Sequence, residues 1–99
     1  MPKFDVYRLQ DGGGLVLDCQ ADLLSDFGTR FVVPLLSCGE APKPVARLNP
    51  IFTIEGRDYV MLPQLAASIP SSELQLKVTS LRDHDLTVGN ALDMLISGF

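Results

Sequence analysis

The hydrophobic pattern of this chain changes period once, and that change limits the fold more than any other feature. Up to Val78 the apolar residues come in short runs, alternating or contiguous, separated by stretches rich in Gly, Pro, Asn and Asp. Beyond Ser80 they recur at steps of three or four, in Leu81, His84, Val88, Leu92, Leu95 and Phe99, with Ala91 beside them. A period of two alternates side chains across a strand, whereas a period near 3.6 lines them along one stripe of a helix. The chain therefore reads as hairpin-linked strands followed by one C-terminal helix. That order implies a mainly β (α+β) fold: a small antiparallel barrel or bent sheet with the helix packed across it.

Taken in order, Phe4-Asp5-Val6-Tyr7-Arg8 alternates as a first strand, and Asp11-Gly12-Gly13-Gly14 supplies a turn. Leu15 to Gln20 is the returning strand, and its nearly continuous hydrophobicity predicts a central position. Ala21 to Gly28 breaks the pattern: Asp22 is suited to cap a helical turn, and the adjacent Leu23 and Leu24 point in different directions, so one is expected at the surface. Arg30 to Leu36 is a third strand in which Pro34 lacks a donor and so needs an edge, a bulge or a bend. Ser37-Cys38-Gly39-Glu40-Ala41-Pro42-Lys43-Pro44 has no period and reads as a loop. Pro50 to Ile54 and Tyr59 to Leu62 form the clearest hairpin, with Gly56 in its turn. Pro63 to Pro70 is a bent connector, and Leu74 to Val78 alternates as the last strand.

The helix has a marked start, because Ser80 followed by Asp83 is a capping-box pattern. From Arg82 to about Ile96 it measures roughly 22 Å at 1.5 Å per residue. Asp83, Thr87, Asn90 and Asp93 occupy its polar side. Gly89 costs about 1 kcal/mol against Ala in a helix interior, and close backbone approach is one reason to keep it. Gly98 is placed to end the helix in a left-handed cap, leaving Ile96 and Phe99 as bulky apolar groups at the terminus. They either fold back into the core or form an apolar tip that a larger protein accepts.

Ninety-nine residues, 46% of them hydrophobic, suit one domain with one core, spanning residues 1–99. The apolar runs are too short to span a membrane, and Met1-Pro2-Lys3-Phe4-Asp5 has no signal-peptide pattern, so a cytoplasmic location is expected. Cys19 and Cys38 have no metal spacing and are expected as small buried hydrophobes in a reducing compartment. A net charge of −4 and a pI near 4.6 oppose direct nucleic-acid binding and suit a basic protein partner. No phosphate loop, zinc pattern or nucleophile elbow is present, and His84 lies between Asp83 and Asp85, positions that do not face it on a helix. His84 is thus expected to pack rather than catalyse. No catalytic residue, metal or cofactor is assigned, and the chain reads as a binding protein rather than an enzyme.

The ordered set Phe4-x-Val6-Tyr7, Asp18-x-Gln20-x-Asp22-Leu23-Leu24, Thr29-Arg30-x-Val32-Val33-Pro34-Leu35, Leu48-Asn49-Pro50-Ile51-Phe52, Leu65-Ala66-Ala67 and Asn90-Ala91-Leu92-Asp93-x-Leu95-x-x-Gly98-Phe99 resembles the CcdB family of bacterial toxins from end to end. The resemblance implies an SH3-like barrel character shared with the MazF-type ribonuclease toxins, and a symmetric homodimer. It implies a toxin that binds the A subunit of DNA gyrase and traps the enzyme on cleaved DNA. A CcdA-like antitoxin is implied to neutralise it and to join it in repressing their operon, so that DNA is met only through antitoxin or gyrase.

Carried over, the gyrase-facing set falls on Leu23, Leu24, Asp93, Ile96, Ser97, Gly98 and Phe99, and the antitoxin on the loop from Ser37 to Pro44. Where the best-known plasmid-borne member has a tryptophan, this chain has Ser97, so the tip lacks that aromatic anchor. Two other readings follow from the same pattern: a binding-only member that keeps its antitoxin without poisoning gyrase, and a MazF-like endoribonuclease. The acidic charge and the packed histidine weigh against the last.

Overall fold

Alternation and turn chemistry produce a curled antiparallel sheet with one helix across it, in a computed structural model that describes residues 2–10 and 13–98. The strands are β1 (Asp5–Arg8), β2 (Leu15–Asp18), β3 (Thr29–Ser37), β4 (Ile51–Ile54), β5 (Arg57–Met61), β6 (Ala67–Pro70) and β7 (Leu76–Ser80), and the helix is α1 (Asp85–Ser97). The sheet runs β4-β5-β3-β2-β1-β7, with β6 paired to the first half of β3. No helix among the described residues is long and apolar enough to cross a membrane.

The short link from β6 to β7 forces the curl. β6 lies on β3 and β7 on β1, four strand spacings apart through β2, or about 19 Å in a flat sheet at about 4.8 Å each. Residues 71–75 connect them, and Ser71–Glu73 are coiled into a 3₁₀ turn, so the link reaches only about 16 Å at about 2 Å per turn residue and about 3.4 Å for the rest. The sheet bends to meet it. Leu74, carried by this link, packs inside the curl on Tyr7, Val16 and Val32.

β2 has both faces buried along its whole length, as its continuous hydrophobicity predicts. Leu15 and Leu17 join Val6, Val33, Leu35, Phe52, Ile54 and Met61 in the main core beneath the helix. On the other face, inside the curl, lie Tyr7, Val16 and Val32 with Asp5, Asp18 and Arg30, all buried. Arg30 Nη2 and Nε donate to Asp18 Oδ2 at 2.7 and 3.0 Å. Asp5 Oδ2 lies 3.3 Å from Lys77 Nζ. Burial, then the nearby carboxylates of Asp5 and Asp18, raise the pKa of Tyr7, against the opposing effect of Arg30.

Several boundaries differ from the sequence expectations for identifiable reasons. Phe4 precedes β1 at φ 72°, held there because its N–H donates to Asp18 O and its carbonyl accepts from Leu81 N–H. Pro34 lies in the long central strand, where β3 changes partner: β6 pairs up to Val32 and β5 begins at Leu35. The missing donor therefore falls in the gap between two partners. Pro63 to Pro70 is more than a connector, since β6 forms there by pairing with β3. The last strand starts at Leu76 rather than Leu74, and a register shift at Val6/Tyr7 leaves Leu76 exposed. The β4–β5 hairpin turns through Glu55 and Gly56 at φ 53° and 78°, the two positive values a tight two-residue turn requires. Of the β1–β2 turn, Asp11 and Gly12 lie outside the described residues.

Candidate functional site

A 3₁₀ turn at Arg82–His84 leads into α1. The expected capping box does not form: Ser80 ends β7, the cap positions fall on Leu81 and His84 with no side-chain cap bond, and Ser80 Oγ accepts the Arg82 N–H at 3.2 Å as a local turn. His84 occupies the cap position of α1 with its ring 5.3 Å from Phe52, tilted by 60°. It packs on one side and is exposed on the other. Leu81, Val88 and Ala91 are buried in the main core, with Leu92 packed against it. An added Cβ at Gly89 meets nothing within 4 Å, so close approach does not account for that glycine.

The helix leaves its support towards its end. Leu95 is 45% exposed and Ile96 79%, and Asp93, Ser97 and Gly98 are exposed as well. Gly98 closes the helix at φ 79°, its N–H donating to Met94 O at 3.0 Å, which is the left-handed cap expected there. Phe99 lies outside the described residues. The apolar tip that can be described is thus Leu95 and Ile96 beside a polar Asp93–Ser97 flank. Asp93 also borders a groove of about 600 Å³ shared with Thr87, Asn90, Arg47 and Pro50.

The turn after β2 presents both leucines: Leu23 is 92% exposed and Leu24 40%. Besides its own backbone bonds, side-chain hydrogen bonds tie it to its neighbours. Lys3 N–H donates to Asp22 Oδ1 at 2.6 Å, so Asp22 ties the turn to the N-terminal segment instead of capping a helix. Gln20 donates through Nε2 to Leu24 O at 2.8 Å and accepts the Phe31 N–H at 3.0 Å, which ties the turn to β3. Phe27 and Phe31 are exposed next to it, two aromatic groups that the sequence reading did not select. Their signal was weak, since an aromatic in or beside a strand is ordinarily core.

Within one chain this turn lies by the beginning of α1, where Asp22 shares a small cleft with Arg82 and Asp85. Ile96 is eleven residues beyond Asp85, about 16 Å along the helix at 1.5 Å per residue. No contact described within the chain joins the two leucines to the helix end.

The loop from Ser37 to Pro44 opens with Cys38 N–H donating to Asp58 O at 3.1 Å, then turns as Glu40 N–H and Ala41 N–H donate to Ser37 O. Gly39, Glu40, Pro42, Lys43 and Pro44 are exposed. Cys38 is exposed too, contrary to expectation, because it follows the last paired residue of β3. Cys19 is buried as expected, and burial pushes its thiol up to about 12. Beyond the loop, Asn49 acts as a clamp: its Oδ1 accepts the Val45 N–H, and its Nδ2 donates to Met61 O and Gln64 Oε1. These bonds brace the segment before β4 against the end of β5 and the turn that follows it. A family model described as CcdB protein matches residues 3–98.

Proposed function

The chain belongs to the CcdB family of toxin–antitoxin toxins, and from that membership we propose that it binds the A subunit of DNA gyrase and traps the enzyme on cleaved DNA. The observation that carries this reading is the capped helix end, where Ile96 stands 79% exposed beside Gly98 in the left-handed conformation. Exposed aliphatic side chains ringed by Asp93 and Ser97 have the composition of a protein-binding anchor with a polar rim. Leu23 and Leu24 present a second, separate apolar surface at the turn after β2, and Phe99 belongs to the same proposed set. No chemical step is assigned to the toxin. It acts by binding in the cytoplasm of a bacterium.

A homodimer belongs to this reading, since a two-fold copy duplicates each apolar surface and suits a two-fold target. It would also place the two C-terminal helices and their tips near one another. A CcdA-like antitoxin that overlaps the tip and touches the Ser37 to Pro44 loop supplies neutralisation, and toxin and antitoxin together repress their operon.

The test is a DNA-cleavage assay with purified gyrase, ATP and supercoiled plasmid, comparing the full chain with one truncated after Leu95. Protein-linked double-strand breaks are expected with the full chain and not with the truncated one. Absence of breaks from a folded full chain, assayed on the host's own gyrase, rejects gyrase poisoning.

A further inference from the structure

β4 is an end strand of the sheet, and its hydrogen-bonding parity can be read from its partner. The hairpin pairs Ile54 with Arg57 and Phe52 with Tyr59, and one step further Met61 N–H donates to Pro50 O at 2.9 Å. Backbone groups in an antiparallel strand alternate between its two edges. Those of Pro50, Phe52 and Ile54 therefore face β5, while the N–H and C=O groups of Ile51 and Thr53 face outward. Neither residue's outward groups meet a backbone partner among the described residues. Edges of this kind are usually guarded by lysine, proline or a bulge. From Ile51 to Ile54 the strand has none of these.

Where β4 begins, Pro50 joins the groove whose helix wall is Thr87, Asn90 and Asp93, positions three apart in one polar row of α1. Arg47, at the other wall, has φ 71°, a left-handed conformation that side chains rarely adopt and that tends to persist at binding sites. Arg47 and Asp93 carry opposite charges into the same groove without forming an ion pair, and among the described residues neither side chain has a hydrogen bond. The groove thus offers a guanidinium, a carboxylate and the Asn90 amide, and its Pro50 immediately precedes in sequence the strand whose edge offers two donors and two acceptors.

We propose that the free edge of β4 and this groove together bind an extended peptide segment of a partner protein, with an acidic side chain against Arg47 and a basic one against Asp93. Main-chain pairing to Ile51 and Thr53 supplies affinity in a sequence-tolerant way, and the two charges fix the register. The site shares Asp93 with the gyrase reading but needs neither the helix tip nor gyrase. Each can fail without the other.

The test is NMR titration of the isotope-labelled full chain with a short blocked peptide of alternating Thr and Val residues carrying one Glu and one Lys, and with its uncharged counterpart. The Ile51 and Thr53 amides are expected to shift and to slow in hydrogen exchange by at least about tenfold at saturation. The uncharged peptide is expected to bind about three to tenfold more weakly. Ile51→Pro removes one outward donor and leaves the β4–β5 bonds in place, so it should weaken binding at least about tenfold. Arg47→Glu, on the exposed wall, should weaken only the charged peptide and keeps the test decisive if Ile51→Pro unfolds. Shifts confined to other strands, no shift at millimolar peptide, or equal binding by both variants overturns the proposal. So does a concentration-dependent shift of Ile51 and Thr53 without peptide, which assigns the edge to a second copy of the chain.

Discussion

The two halves of α1 share one sequence pattern and differ in what lies under them. In the first half, Val88 and Ala91 are completely buried against the core while Leu86, off that stripe, is 73% exposed. In the second, the same spacing carries Leu95 and Ile96 into solvent. The helix packs against the Pro63–Leu65 turn and the 3₁₀ turn that precedes it, and its end at Leu95 and Ile96 is exposed. An amphipathic period records that a stripe will be covered, and leaves open whether by the same chain or by another. The comparison predicts that mutations in the first half act on stability and those in the second on binding.

Val88→Asp should have the largest effect, because it places a carboxylate with no partner among Phe52, Ile54 and Leu81. Loss of more than about 4 kcal/mol is expected, enough to unfold a domain of ordinary stability, and urea denaturation followed by circular dichroism measures it. Asp18→Ala comes next. It removes the carboxylate to which the buried Arg30 guanidinium donates twice, at a cost of up to about 3 to 5 kcal/mol. Replacing both residues with apolar ones of similar volume should recover most of that loss. If it does not, the pair contributes more than its own burial costs.

Those two positions also mark where the sequence was and was not legible. Strands β1 to β5 and the helix were readable because alternation, turn residues and helical spacing agree with one another. β6 was not, since Ala67–Pro70 has Ile69 as its one bulky apolar residue and becomes a strand only by pairing with Thr29–Val32. Arg30 and Asp18 escaped because charged side chains are ordinarily outside, whereas a sheet buried on both faces turns one of each inward. At the turn after β2, adjacent leucines pointed to one exposed side chain, and the structure exposes both. Phe27 and Phe31 were not legible, because nothing in an aromatic residue itself tells coverage by its own chain from coverage by a partner. Asn49 looked like a loop residue until its three hydrogen bonds were visible.

The two glycines of α1 sharpen the contrast at a smaller scale. Gly89 lies in the helical interior with open space where a Cβ would stand, so Gly89→Ala should stabilise by up to about 1 kcal/mol. Gly98 sits at φ 79°, so Gly98→Ala should destabilise by about 1 kcal/mol and fray the last turn. Thermal unfolding gives the opposite signs, and hydrogen exchange at the Gly98 amide, bonded to Met94 O, localises the second effect.

Ile96→Asp should change stability least and binding most. The side chain is 79% exposed, so replacing it removes little burial, and a surface substitution ordinarily stays within about 0.5 kcal/mol. The last turn of a helix, however, disfavours an anion by about 0.3 to 1 kcal/mol, so a small loss with Asp alone is ambiguous. Ile96→Lys removes that ambiguity, because a cation there is favoured by the same field. If the tip is an anchor for a partner, both variants should lower gyrase affinity at least about tenfold while only Asp lowers stability. If both lower stability by more than about 1.5 kcal/mol, Ile96 is held by packing that its exposure conceals, and the distinction between the two halves of the helix fails.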